Sequence, residues 1–142
     1  MIEIDFACLR RLGMTPALWQ HLQSQLAADG ADETEPGHAP AQLMRVAEVH
    51  RETVTLHDGS VERSARVLPR VLRELADAET GLSVGDWVLA GATAGDVCRV
   101  QRRLLPLRHV ERRDADGRRH PVVSNVDTAL LVMGLGDDFK DR

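Results

Sequence analysis

The chain has 142 residues, 43% of them apolar, a length that fits one modest domain with appendages. Only Phe6, Trp19, Trp87 and Phe139 are aromatic and Tyr is absent, so a core must rest on Leu, Val and Ala. No apolar run is long enough to span a bilayer and no secretory leader is evident. Cys8 and Cys98 match neither a disulfide framework nor a CxxC metal pair, so a reduced, cytoplasmic setting is expected.

The net charge of −4 argues against a nucleic-acid binder, but its distribution does not. Residues 1–42 have a balance of −4, residues 43–121 of +2 and residues 122–142 of −2. Within the middle part, residues 99–119 hold eight arginines against three acids. A local basic strip binds phosphate whatever the sign of the chain total; the plainer alternative is a solvated Arg-rich face.

In chain order, residues 6–28 read as helical. Leu9 and Leu12 share a face, Gly13 interrupts, and Thr15-Pro16 has the form of an N-cap followed by a first-turn proline. Leu18, Trp19, Leu22 and Leu26 then form an apolar stripe, and Gly30 is a stop signal. Such a stripe covers the module's own core more often than it docks a partner, because short helices need packing to persist. Residues 29–42 combine acids with Gly and Pro and read as a flexible linker.

From Leu43 the period shortens. Strands are expected at Leu43–His50, Thr53–His57, Val61–Val67, Asp86–Ala90 and Asp96–Leu104. Turn signals lie at Asp58-Gly59, Gly81–Gly85 and Gly91–Gly95, and Pro69–Leu75 reads as a short helix or crossing. Val54, Leu56, Val67, Trp87 and Val100 are expected inside, and Cys98 as a small core residue. Five short strands with an insertion after the third predict a mainly β fold, an OB-type Greek-key barrel over residues 43–105 preceded by a helical segment, 1–28. Residues 106–121 read as an Arg-rich linker. Residues 122–142 open with an apolar run, Ala129–Met133, which has the character of a strand buried on both faces.

The run Arg45–Glu52, the stretch Val84-Gly85-Asp86-Trp87-Val88 and the stretch Ser124-Asn125-Val126-Asp127-Thr128 resemble, in order and spacing, segments of the ribosome small subunit-dependent GTPase A family. The resemblance implies an OB domain that binds ribosomal RNA. It also implies that residues 122–142 are the truncated start of a circularly permuted α/β GTPase domain, and that a zinc-binding domain follows. It further implies a monomer that acts away from membranes on the small ribosomal subunit late in its maturation. GTP, Mg²⁺ and Zn²⁺ belong to the full-length family. Neither GxxxxGK[ST] nor NKxD occurs here, so no GTP-binding, catalytic or metal residue is assigned to this chain. Glu111 stands where the family carries an apolar residue.

OB barrels bind nucleic acid across strands two and three and with the loops joining strands one to two and four to five. The candidate RNA-binding residues are His50 and Arg51 in the first loop, Arg99 and Arg103 on the fifth strand, and Arg108, Arg112, Arg113, Arg118 and Arg119 beyond it. Strand alternation puts Arg99 and Arg103 on one face and Arg102 on the other. With Trp87 expected in the core, base stacking is not favoured, and recognition of phosphate and shape is. The six histidines show no metal-ligand spacing. A protein-interaction module of the same fold, without nucleic acid, is the alternative reading.

Overall fold

The computed structural model describes residues 4–28, 41–92 and 97–133. The helix stop at Gly30, Asp96 and most of both the 29–42 linker and the Gly91–Gly95 turn fall outside them, as do residues 134–142. Among the described residues no helix is long and apolar enough to cross a membrane.

Two short helices come first, α1 (Phe6–Arg11) and α2 (Pro16–Ala28). The Asp5 carboxylate caps α1 by accepting from the N–H groups of Ala7 and Cys8 at 2.9 and 3.2 Å. Thr15 Oγ1 accepts from Leu18 N at 3.2 Å at the start of α2, where Pro16 supplies a fixed φ.

Five strands follow: β1 (Gln42–Val49), β2 (Val54–His57), β3 (Glu62–Val67), β4 (Trp87–Ala92) and β5 (Cys98–Leu104). They close in the order β1-β2-β3-β5-β4, with β1 also pairing β4. Helix α3 (Pro69–Asp77) lies between β3 and β4 and buries Val71 and Leu75. A closed five-stranded barrel with a helix at this crossing is consistent with the expected OB fold.

Two apolar clusters divide the strands by face. Met44, Val46, Val54, Leu56, Ala65, Val88, Ala90 and Val100 fill the barrel, with Val67 and Cys98 packed against them. Leu43, Trp87, Leu89 and Leu104 face outward and are covered by Leu9, Met14, Leu18, Leu22 and Leu26 of the helical segment. Trp87 is therefore buried, at 0% exposure, but not inside the barrel as expected: it lies beneath α1 and α2. Both faces of β4 are covered, so its run of apolar residues carries no facing signal.

Two further expectations are corrected. Residues 106–121 are not a plain linker, because β6 (His109–Arg113) and β7 (Arg119–Ser124) form an antiparallel hairpin. Ala129–Met133 forms no strand, and Leu130, Leu131 and Val132 are 85–89% exposed. Among the described residues nothing pairs with that run, and a strand needs a ladder partner for its backbone polar groups.

Truncating Trp87 to Ala is expected to cost about 3–5 kcal/mol, the usual cost of deleting a large buried aromatic. Chemical denaturation of the variant checks this. An unchanged midpoint contradicts the packing of the helices on Trp87.

Candidate nucleic-acid interface

The hairpin is held to the barrel at one junction, built from the two stretches Ser83–Trp87 and Ser124-Asn125. Ser124 N donates to Val84 O at 2.8 Å, and the two hydroxyls of Ser83 and Ser124 share a hydrogen bond of 2.8 Å; both serines are buried. Gly85 has φ +89°, and a Cβ there would lie 2.0 Å from Ser124 O, so only glycine fits. Asn125 donates from Nδ2 to Gly85 O at 2.9 Å and accepts from Leu107 N at 2.9 Å. Arg45 completes the junction. It donates from Nη1 to Leu12 O and from Nη2, at 3.1 Å, to Asn125 O, with its guanidinium 5.9 Å from the Trp87 ring centroid. Burial pulls its pKa below the usual guanidinium value, against the pull of Asp127. Sequence reasoning singled out none of these contacts, although the stretches that make them carried the family resemblance.

Arg103 belongs to this framework rather than to an RNA surface. Its Nε and Nη2 donate to the Asp86 carboxylate at 2.8 and 3.1 Å, and its side chain is only 9% exposed. Nor does it share a face with Arg99. Val100 points into the barrel while Leu104 packs under the helices, because the register shifts opposite Leu89/Ala90. A bulge of this kind reverses the alternation. Arg99 thus faces outward beside its Cα partner Arg66 on β3. Arg102 donates to Gln25 O of α2 at 3.0 Å.

His50 and Arg51 lie exposed in the loop after β1. The His50 ring is 3.1 Å from Glu48, whose pKa is lowered by hydrogen bonds from His50 and Thr55. Behind this loop an apolar cavity of about 250 Å³ opens against α3, lined by Val49, Val54, Leu72 and Leu75.

The remaining candidates gather on the hairpin, every residue of β6 being exposed. Arg108 pairs with Asp127 at 3.0 Å. Glu111 takes His109 at 3.3 Å and Arg119 at 3.6 Å. Asp114 takes His120 at 2.8 Å and the Arg118 N–H at 2.8 Å, and these two bonds hold its carboxylate below the usual range. Among the described residues no carboxylate forms an ion pair with Arg112, Arg113 or Arg118. Glu111 and Asp114 are thus occupied by other partners, and among the described residues these three cations remain for an external anion. The described residues hold no group of three or more His, Cys, Asp or Glu suited to a metal ion, so the zinc and magnesium that the resemblance implies find no fitting donor set in them.

Two measurements follow. Arg103→Met leaves the Asp86 carboxylate buried without its cation and is expected to cost about 3–5 kcal/mol in denaturation; a cost below 1 kcal/mol contradicts the assignment. A carboxyl whose folded pKa is depressed stabilises above its unfolded value and loses that contribution as pH falls through the folded value. The hairpin tip should therefore hold down to the ordinary carboxylate range near pH ~4 and open below it. The Arg118 amide resonance reports this, and a transition above that range contradicts the Asp114 bonds.

No family model matches the chain. Over 61 residues, 41% of this chain and 17% of the relative, it is 36% identical to the small ribosomal subunit biogenesis GTPase RsgA of Leptospira interrogans, in two serovars. Over 102 residues, 70% of this chain and 29% of the relative, it is 28% identical to the small ribosomal subunit biogenesis GTPase RsgA 2 of Lactiplantibacillus plantarum. The chain spans less than a third of the length of these curated relatives. It is similar, in part, to GTPases of small-subunit biogenesis.

Proposed function

We propose that the chain is an RNA-binding module of the ribosome small subunit-dependent GTPase A family, docking on the small ribosomal subunit during its maturation. The observation that carries this reading is the exposed hairpin on an OB-type barrel, where among the described residues no carboxylate pairs with Arg112, Arg113 or Arg118. Partial similarity to small-subunit biogenesis GTPases supports the choice of partner. The roles of Arg108, Arg119, Arg99, His50 and Arg51 are secondary in this proposal. Arg108 and Arg119 already have acidic partners, and the other three lie on the barrel rather than on the hairpin. GTP hydrolysis is assigned to parts of the relatives outside the similarity, since these 142 residues contain neither nucleotide motif.

One observation favours the protein-interaction alternative: the exposed run Leu130–Met133 is the kind of surface that a protein covers. Titration with small-subunit RNA at several salt concentrations separates the two. Each phosphate contact contributes about −0.7 to −0.9 to the slope of log affinity against log salt. The Arg112→Ala/Arg113→Ala double variant is expected to bind more weakly and to flatten that slope by about one to two units. Unchanged affinity and slope contradict the RNA reading of the hairpin.

A further inference from the structure

The placement of cations on the hairpin says more than that it binds phosphate. Residues paired directly across an antiparallel ladder share a face, and successive pairs alternate. The register pairs Arg113 with Arg119 and Arg112 with His120. One face of the ribbon therefore carries Arg113 and Arg119, and the opposite face carries Arg112 and His120. A protein that lays a flat surface on RNA needs its charge on one side. A ribbon with cations on both sides fits between two phosphate walls.

Three further observations agree. Arg113 and Arg119 are like charges directly opposite each other, an arrangement that costs stability unless an anion meets it, and of these two arginines Glu111 engages Arg119 alone. The turn between the strands is tight and unobstructed: Gly117 N donates to Asp114 O at 3.1 Å, and nothing lies within 4 Å of where a Gly117 side chain would start. The Arg119 side of the ribbon is not packed against the barrel: an open groove of about 950 Å³, lined by Arg118 and Arg119 and also by the acids Glu79, Glu111 and Asp116, separates it from the end of α3.

The geometry points to insertion of the β6–β7 ribbon into the groove of a double-helical RNA, a mode that rests on the RNA-binding reading above and specifies its ligand. A two-stranded ribbon fits a groove about 12 Å wide, whereas the major groove of regular A-form RNA is deep and too narrow. The ligand is accordingly a helix whose groove is widened by a bulge or internal loop. Single strands are disfavoured, because the ribbon itself, residues 109–124, carries no Phe, Tyr or Trp on which bases stack. Phe6 and Trp19 pack edge to face on each other with centroids 4.7 Å apart, and Trp87 is buried.

The test uses the full 142-residue chain with three RNAs of equal length: a duplex interrupted by a bulge, an uninterrupted duplex and a single strand. The interrupted duplex should bind most tightly. Arg112→Ala and Arg113→Ala, on opposite faces, should each flatten its salt slope by about 0.7–0.9. Hydroxyl-radical footprinting should protect two backbone segments facing each other across the groove. Sensitivity to only one of the two variants, protection of one strand, or preference for the single strand overturns insertion while leaving RNA binding in place. Failure of the unaltered chain to bind any of the three and small-subunit RNA overturns both.

Discussion

The buried carboxylate of Asp86 is the constraint on which the rest of the structure depends. It is fully enclosed and takes the Arg103 guanidinium in two hydrogen bonds together with the Ser83 N–H at 2.9 Å. The backbone O of the same residue accepts from Val46 N at 2.8 Å. A buried charge is tolerated only when its oxygens are satisfied in this way. One residue therefore fixes the end of β5, the entry to β4 and the edge of β1 at a single point. Because that point also sets the path of Ser83–Gly85, it decides where Ser124 and Asn125 dock, and with them the base of the hairpin.

The functional reading follows from that rigidity. Arginines on a flexible segment lose conformational freedom when they bind, whereas arginines on a ribbon held at its base lose less. Glu111 and Asp114 of the hairpin are engaged in pairs with His109, Arg119 and His120. Exposed pairs of this kind contribute little stability. Their larger consequence is on charge: they occupy Glu111 and Asp114, and among the described residues no ion pair engages Arg112, Arg113 or Arg118. Arg45 extends the same framework to the N-terminal helices, since one guanidinium touches the end of α1, the Trp87 ring and Asn125.

The barrel was legible in the sequence because its strands alternate and its turns carry their usual residues. Val54 and Leu56 on β2, and the Asp58-Gly59 turn, are cases where pattern and structure agree. The facing of β4 was not legible, because Trp87, Val88, Leu89 and Ala90 are all buried, two on each face. The bulge that separates Arg99 from Arg103 leaves no mark in composition either. The hairpin was missed for the opposite reason: all of β6 is exposed, so no burial rhythm betrays a strand, and arginine-rich sequence reads as linker. Arg103 was miscounted as a surface cation because only its partner, Asp86, reveals that it is internal.

The central claim is that this chain meets RNA through the hairpin rather than through the helical segment or the barrel wall. Ultraviolet cross-linking of the full chain to small-subunit RNA, followed by mass spectrometry of the linked peptides, tests it most directly. The account predicts cross-links concentrated in residues 108–120, with α1 and α2 unmodified. Cross-links that map to α1 or α2 and spare the hairpin would contradict it.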